Sequence, residues 1–148
     1  MKFYIYTLGC KVNTYESNVM KDKLINSGYK EGNINDSDIY IINTCTVTNT
    51  SDNKSLKVIR QVIRNHKDSI IVVIGCMTQV NSKILDDLNI SIILGNSGKS
   101  KIVEYIEEYK KNNRPIKIIE NIMEKEFEDM CLNNFKKTRA FVKIEYGC

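Results

Sequence analysis

Short apolar runs alternate with amphipathic segments over residues 1–112, and no other feature constrains the fold as strongly. The apolar runs are rich in β-branched and aromatic residues and lie at positions 3–8, 39–42, 70–74 and 90–94. Between and after them, apolar side chains recur at helical spacing over residues 15–27, 51–66, 82–88 and 100–111. Strands that are apolar at consecutive positions are typically covered by helices on both faces. The sequence therefore predicts an α/β fold over residues 1–112, a doubly wound parallel sheet built from right-handed βαβ units.

The pattern changes after Pro115. Residues 116–119 predict an edge strand, and the charge-rich residues 120–137 have the mixed signs and weak periodicity of a linker. Apolar and charged residues alternate over 142–146, which predicts a half-buried strand at the end of the chain. Because a strand with nothing after it has no partner, we expect the chain to be the front part of a longer protein. We divide it into a domain at 1–112, an edge strand and linker at 113–138, and the start of another domain at 139–148.

Composition excludes several classes of protein. The chain has 148 residues, of which 42% are hydrophobic and grouped in runs, so it is not disordered. No apolar stretch approaches the ~20 residues that span a bilayer, and the N-terminus lacks a secretory signal, so we expect a cytoplasmic protein with no membrane partner. The net charge of +4 does not identify a nucleic-acid binder, because Ile, Lys and Asn make up 57 residues, as in AT-rich genomes. The oligomeric state is left open.

Three of the five cysteines share one structural position. Cys10, Cys45 and Cys76 each follow a predicted strand, and their separations of 35 and 31 residues are each about one βαβ repeat. The carboxyl ends of parallel strands open on one edge of the sheet, where such folds bind ligands. A single buried cysteine is usually an inert small hydrophobe, but three at one edge favour a site. We therefore predict that the three thiols converge on one crevice.

The chemistry of that crevice has alternatives. Structural zinc takes four ligands, so three thiolates are an incomplete set for it. A cubane iron–sulfur cluster held by three cysteines leaves one iron open for a substrate or for exogenous sulfur. A zinc site, a thiol nucleophile with a resolving partner, and a plain doubly wound domain with inert cysteines remain alternatives.

Other candidate residues point less clearly to chemistry. Residues 95–100 read Gly-Asn-Ser-Gly-Lys-Ser and resemble a phosphate loop, but the first glycine of that motif would fall at Ile93. We interpret the segment as a turn and a helix cap, with Lys99 as the residue that could meet a phosphate. His66, the only histidine, is expected at a solvated helix end. Cys131 lies in the charged linker and is interpreted as structural or incidental.

Three local motifs resemble the N-terminal domain of the radical SAM methylthiotransferases. They read Thr-Leu-Gly-Cys-Lys-Val-Asn-Thr-Tyr-Glu-Ser at 7–17, Ile-Asn-Thr-Cys-Thr-Val-Thr at 42–48 and Gly-Cys-Met-Thr-Gln at 75–79. The first two look most like the branch that acts on threonylcarbamoyl-adenosine beside the tRNA anticodon. Residues 139–148 resemble the start of that family's radical SAM barrel, where the last cysteine begins a C-x-x-x-C-x-x-C motif.

The resemblance implies two [4Fe–4S] clusters in the full-length parent. The auxiliary cluster takes part in sulfur insertion, and its implied ligands are Cys10, Cys45 and Cys76. The second cluster cleaves S-adenosylmethionine, and its implied first ligand is Cys148. Residues with an implied supporting polar role near the auxiliary cluster are Asn13, Asn43 and Gln79. The resemblance identifies neither a catalytic residue nor the sulfur donor.

The implied reaction inserts a methylthio group at C2 of threonylcarbamoyl-adenosine in tRNA. The sequence ends at Cys148, before the other two cysteines of the radical-cluster motif, the rest of the barrel and the RNA-binding domain. We therefore expect the parent to be an enzyme and this chain alone not to turn over. The alternatives are a stand-alone iron–sulfur or zinc module, and a methylthiotransferase that acts on isopentenyl-adenosine in tRNA or on a ribosomal-protein aspartate.

Overall fold

The computed structural model describes residues 1–45 and 49–120, which form a parallel sheet covered by helices on both faces. Within these residues the strands are β1 (Lys2–Thr7), β2 (Lys30–Glu31), β3 (Ile39–Thr44), β4 (Ile70–Gly75), β5 (Ile92–Leu94) and β6 (Ile116–Ile118). Their spatial order is β2-β1-β3-β4-β5-β6, and every neighbouring pair is parallel. The predicted doubly wound α/β fold is confirmed.

The helices differ from the sequence prediction mainly at their boundaries. They are α1 (Lys11–Asn26), α2 (Asn49–Asn65), α3 (Cys76–Asn81) and α4 (Ile102–Asn112), with 3-10 turns at Ser82–Leu85 and Lys99–Lys101. The helix predicted over 82–88 begins earlier than expected, as α3, and only a 3-10 turn follows it. It begins earlier because Gly75, at φ 117°, ends β4 and lets the helix start at the next residue. Strand β2 was not predicted, since it has two exposed residues and no apolar pattern.

Successive residues of the central strands enter opposite layers of the core. On one face, a cluster joins alternate residues of β3 and β4 to α1 and α4, and it includes Ile39, Ile41, Val72, Ile74, Met20, Leu24, Ile102 and Ile106. On the other face, the intervening residues pack against α2, and this cluster includes Tyr40, Ile42, Ile71, Val73, Ile59 and Val62. Burial on both faces explains why these strands are apolar at consecutive positions.

The chain leaves β1 and β3 in opposite directions. After β1 it passes through α1 to β2 on one side, and it then crosses to β3 on the other side of β1. Helix α1 packs on one face of the sheet, whereas α2, which follows β3, packs on the opposite face. In open parallel sheets such a switch point opens a crevice beyond the carboxyl ends of the two strands. Cys10 and Cys45 follow these two strands.

The predicted edge strand is present as β6, which pairs with β5. The linker after residue 120, the terminal strand and the start of the second domain lie outside the described residues, together with Cys131 and Cys148. In the described ranges 1–45 and 49–120, no helix is both long and apolar enough to cross a membrane.

Candidate metal centre at the carboxyl edge of the sheet

The three predicted ligands lie beyond the ends of three adjacent strands. Cys10 precedes the first residue of α1, Cys45 directly follows β3, and Cys76 is the first residue of α3. Neighbouring strands in a sheet are about 4.8 Å apart, so the three chain segments start from one short stretch of sheet edge. None of the three cysteines is in a disulfide; Cys45 is buried, and the other two are partly exposed.

The backbone just before Cys10 packs directly on Cys45. Gly9 adopts φ 99°, and a Cβ atom at this position would lie 2.2 Å from the Cβ and 2.6 Å from the Sγ of Cys45. Both the positive φ and the lack of space therefore require glycine. The absence of a side chain at Gly9 brings the segments that carry the first two cysteines into contact.

Asn13 joins the ends of β1 and β3. Its Nδ2 donates to the carbonyl oxygens of Leu8 and Thr44, each over 2.8 Å, and the residue is 2% exposed. These acceptors lie in the two segments that lead to Cys10 and Cys45. Asn13 therefore cross-links two backbone segments from the first turn of α1, and its supporting role beside a cluster stays a prediction.

Asn43, at the end of β3, fastens the same strand to α1. Its Nδ2 donates to the carbonyl oxygen of Asn13 over 3.0 Å and to Ser17 Oγ over 3.1 Å. Ser17 Oγ in turn accepts from Thr7 Oγ1, at the end of β1, over 2.8 Å. The Asn43 side chain is fully buried, and its Oδ1 has no hydrogen-bond partner among the described residues. This buried network fixes how α1 leaves the sheet.

A second network fixes the start of α3. The Thr78 hydroxyl lies 2.6 Å from the carbonyl oxygen of Gly75 and also contacts that of Leu94. Gln79 Oε1 accepts from the backbone nitrogen of Asn96 over 3.1 Å, and its Nε2 donates to the carbonyl oxygen of Glu120 over 2.9 Å. Gln79, predicted as a supporting residue, therefore connects α3 to the loop after β5 and to the residues after β6.

Asn96 also lies at this edge, although no sequence motif indicated it. Its Nδ2 donates to Cys76 Sγ over 3.7 Å, although 20 residues separate the two. A recurring pattern could have indicated it. A glycine followed by a polar residue comes after β1 as Gly9-Cys10, at the end of β4 as Gly75-Cys76, and after β5 as Gly95-Asn96.

The donor set fits an iron–sulfur cluster in chemistry, because three cysteines outside disulfides follow three adjacent strands. The two glycines before Cys10 and Cys76, at φ 99° and 117°, leave the backbone there without side chains. Among the described residues, however, no three Cys, His, Asp or Glu side chains are grouped so that they could hold a metal ion. The three cysteines therefore lie at strand ends that the two hydrogen-bond networks fix, but their side chains are not gathered around one point.

Residues 95–100 and His66 differ in part from the sequence interpretation. Residues 95–100 form a turn as interpreted, with Gly98 at φ 89°, but Lys99 does not face a possible phosphate. Lys99 is 1% exposed and forms a buried ion pair with Glu16 of α1. His66 directly follows the end of α2, as expected, but it is only partly solvated. Its ring is partly buried and stacks on Tyr40, with the centroids 4.0 Å apart, because Tyr40 lies in the sheet face that α2 covers.

The exposed face of α2 is basic. Its residues Lys54, Lys57, Arg60 and Arg64 recur at spacings of three and four, which places them on one side of the helix. All four are exposed, and none of them pairs with a carboxylate in the part of the chain that the structure describes. Helix α2 begins four residues after Cys45, so this basic face starts near the carboxyl edge of the sheet.

Comparison with known proteins identifies related sequences. The profile of the uncharacterized protein family UPF0004 matches residues 2–95. The chain is 39% identical over 147 residues to the threonylcarbamoyladenosine tRNA methylthiotransferase MtaB of Bacillus subtilis, covering 97% of this chain and 33% of the relative. It is 35% identical to the protein of the same name from Aquifex aeolicus, over 100% of this chain and 37% of the relative.

A relative with a different name is also similar to this chain. The tRNA-2-methylthio-N(6)-dimethylallyladenosine synthase of Thermosipho africanus is 30% identical over 149 residues, covering 100% of this chain and 34% of that protein. The chain thus spans about a third of the length of the curated relatives that it matches.

Proposed function

Because this chain belongs to the family UPF0004, the N-terminal domain of the tRNA methylthiotransferases, we propose that it is the cluster-holding part of a radical SAM enzyme of that class. The observation that carries the proposal is the position of Cys10, Cys45 and Cys76 beyond three adjacent parallel strands. In such a sheet, this edge is where ligands bind.

We propose that these three cysteines hold the auxiliary [4Fe–4S] cluster. When bound, a cluster with three cysteine ligands supplies an iron open to sulfur. The protein's own contribution is to fix the ligand-bearing segments. Asn13 joins the ends of β1 and β3, Gly9 lets the backbone touch Cys45, and Gln79 ties α3 to the loop that carries Asn96.

The second cluster belongs to the remainder of the proposed enzyme. We propose Cys148 as the first ligand of the cluster that cleaves S-adenosylmethionine, at the start of a domain that begins near residue 139. The domain that holds the auxiliary cluster would end near residue 112, with a linker at 113–138 between the two. This chain alone would hold one cluster and would not turn over.

The proposed substrate is tRNA, and the proposed place of action is the cytoplasm. Two separate observations support tRNA as the substrate. The relatives are named for tRNA modification. Independently, the basic face of α2 offers four cations, unpaired within the described ranges, along a helix that begins near the carboxyl edge, and Lys and Arg side chains contact nucleic-acid phosphates. Two of these cations are arginines, which are not explained by a lysine-rich composition.

Within tRNA, we propose C2 of threonylcarbamoyl-adenosine as the position that receives the methylthio group. The motifs around Cys10 and Cys45 and the relatives from Bacillus subtilis and Aquifex aeolicus support this base. The relative from Thermosipho africanus keeps dimethylallyladenosine as the second candidate. Comparing the modified nucleosides of tRNA from a deletion strain and its parent strain distinguishes the two, since only one methylthio nucleoside should disappear.

Anaerobic reconstitution of the full chain with iron and sulfide tests the metal centre. We expect a broad brown absorbance together with about four irons per chain. Substituting Cys10, Cys45 or Cys76 by alanine should remove most of both. Cys131→Ala is the matched control and should load like the unchanged chain.

Two outcomes would reject this metal centre. One is equal iron and sulfide content in the Cys10→Ala and Cys131→Ala variants. The other is that the chain binds zinc in preference to iron, with four ligands on the zinc. This result would favour the zinc module. A stop codon directly after the codon for Cys148 would favour a stand-alone module, whereas two further cysteines at the spacing x-x-x-C-x-x-C would support the enzyme.

A further inference from the structure

We propose that Asn96 is a positioning residue for the auxiliary cluster. Its side chain donates a hydrogen bond to the sulfur of the cluster ligand Cys76, and this bond raises the reduction potential of the cluster. The inference rests on the proposed function, because it takes Cys76 as a cluster ligand. It assigns a role to a segment that the sequence placed only as a turn, residues 95–100.

The contact is a direct one between side chains. Asn96 Nδ2 lies 3.7 Å from Cys76 Sγ, within the range for hydrogen bonds to sulfur. Asn96 follows β5, and Cys76 follows β4, so the pairing of these two parallel strands brings them together. The nitrogen of the amide, and not its oxygen, suits this position, since a carbonyl oxygen would repel a thiolate.

The loop that carries Asn96 is held in place from α3. Its backbone nitrogen donates to Gln79 Oε1, and a Cβ atom at Gly95 would lie 2.3 Å from that same oxygen. Glycine at position 95 therefore allows the loop to approach Gln79 closely. On the other side, Ser97 Oγ donates to Glu120 Oε2 over 3.1 Å. These contacts hold the loop on both sides of Asn96. The position of the loop, and not only the side-chain torsion angles of Asn96, therefore sets the direction of the Asn96 side chain.

The resemblance to a phosphate loop is explained by this arrangement. Gly98, at φ 89°, serves the turn and Gly95 allows the approach to Gln79, but Lys99 turns inward to its buried ion pair with Glu16. The side chain that the turn presents at the sheet edge is that of Asn96, a neutral donor. A neutral donor suits a sulfur ligand that carries negative charge.

The expected effect on the cluster follows from charge. Reduction adds an electron to the cluster and increases the negative charge on its cysteine sulfurs. A hydrogen bond to one of these sulfurs therefore stabilises the reduced state more than the oxidised state, and it raises the reduction potential. Without the donor, the potential should fall.

Redox titration of the reconstituted full chain, followed by absorbance and electron paramagnetic resonance, tests this role. Asn96→Leu removes the donor at nearly constant size, and Asn96→Asp removes it and adds a negative charge. We expect the midpoint potential to decrease in the order unchanged chain, Asn96→Leu, Asn96→Asp. Asn89→Leu, an exposed position at the opposite edge of the sheet, is the control and should keep the original potential.

The outcomes separate this inference from the proposed function. If the unchanged chain takes up no cluster, the metal centre itself is wrong. If the chain and both Asn96 variants load fully and share one potential and one resonance spectrum, the metal centre stands and the role of Asn96 is overturned. If one variant does not fold, the other decides the question, because each lacks the donor.

Discussion

The side-chain amide of Asn43 donates to the backbone carbonyl of Asn13 over 3.0 Å in the fully buried interior. The bond joins the end of β3 to the first turn of α1, and Asn13 in turn bonds the segments that lead to Cys10 and Cys45. The two asparagines therefore act as one structural unit beneath the proposed metal centre.

Replacing Asn43 with leucine should destabilise the domain by about 1–3 kcal/mol, because the buried carbonyl of Asn13 and the hydroxyl of Ser17 lose the donor that they share. Urea denaturation measures the change in the free energy of unfolding. The exposed residue Asn112 gives a matched control, and Asn112→Leu should change stability by no more than about 0.5 kcal/mol. Equal losses in the two variants would contradict a structural role for the buried amide.

The contact between Gly9 and Cys45 predicts a specific response to a single methyl group. Gly9→Ala should cost about 1–2 kcal/mol for its positive φ and about 1–3 kcal/mol more for the collision with Cys45. Gly28 separates the two effects, since it has φ 86° but no atom within 4 Å of a Cβ. Gly28→Ala should therefore show the smaller loss in a urea titration. Only Gly9→Ala should also lower iron uptake, and equal behaviour of the two variants would argue against the contact.

The buried ion pair of Lys99 and Glu16 predicts strong coupling between the two residues. Lys99→Met should cost about 3–5 kcal/mol, because it leaves the Glu16 carboxylate buried without its cation. Adding Glu16→Gln to Lys99→Met should recover much of that loss in a double-mutant cycle. Additive losses would exclude the coupling.

A surface pair provides the comparison for this cycle. Lys2 and Asp36 also form an ion pair, but their side chains are 50% and 68% exposed. Solvent screens such a pair, so Lys2→Met should cost much less than Lys99→Met.

The contact between Tyr29 and Glu107 of α4 predicts how stability depends on pH. Burial, and then the hydrogen bond to Glu107, raise the pKa of Tyr29 above 10.0, so the folded protein keeps this proton more tightly. This contribution to stability is complete below pH 10.0 and is lost as the pH rises through the higher folded-state pKa. The hydrogen bond from Tyr29, and then the contact with Lys110, lower the pKa of Glu107 below 4.5. That contribution is present above pH 4.5 and is lost as the pH falls through the lower folded-state pKa.

Tyr29→Phe removes the phenol and its hydrogen bond while keeping the ring. Urea midpoints measured from pH 3 to 11 should therefore show a smaller loss of stability above pH 10.0 in the variant. The loss below pH 4.5 should also become smaller, because Glu107 keeps only its contact with Lys110. Parallel pH profiles for the two proteins would contradict the assignment.

The basic face of α2 predicts salt-dependent binding of tRNA to this chain. Replacing Lys54, Lys57 and Arg60 with glutamine should weaken binding, and it should reduce the slope of log affinity against log salt by up to about one for each phosphate that is no longer neutralised. Fluorescence anisotropy with labelled tRNA at several salt concentrations measures both quantities.

A triple variant on the α4 side controls for net charge. Lys101, Lys111 and Arg114 are exposed, and replacing them with glutamine removes the same charge. This variant should keep most of the affinity and slope. Equal effects of the two triple variants would show that net charge alone, and not the face of α2, governs binding.

The strands and the shared edge of the three cysteines could be predicted because they depend on local pattern. Consecutive apolar residues mark buried strands, and parallel connections place all carboxyl ends together. The partners of the cysteines could not be predicted in this way. Asn96 reaches Cys76, and Asn43 reaches Ser17, only through the pairing of strands far apart in sequence.

The surroundings of Lys99 and His66 differ from what their local sequences suggest, for a similar reason. Lys99 in a glycine-rich turn suggests an exposed cation, but its partner, Glu16, lies 83 residues away on α1. His66 beside a charged residue suggests solvent exposure, yet the ring of Tyr40 reaches it from β3. In each case the environment of the side chain is set by another element, and no local pattern reports it.

The order of the strands has a consequence for how the protein emerges from the ribosome. From β3 onward, each new strand adds to the outer side of the previous one, so the sheet can lengthen in the order of synthesis. Cys10 and Cys45 can meet once β1 and β3 have been made, whereas Cys76 receives its contact from Asn96 only after β5 has appeared. The contacts around all three cysteines are therefore complete only after β5 and the loop that follows it have been made.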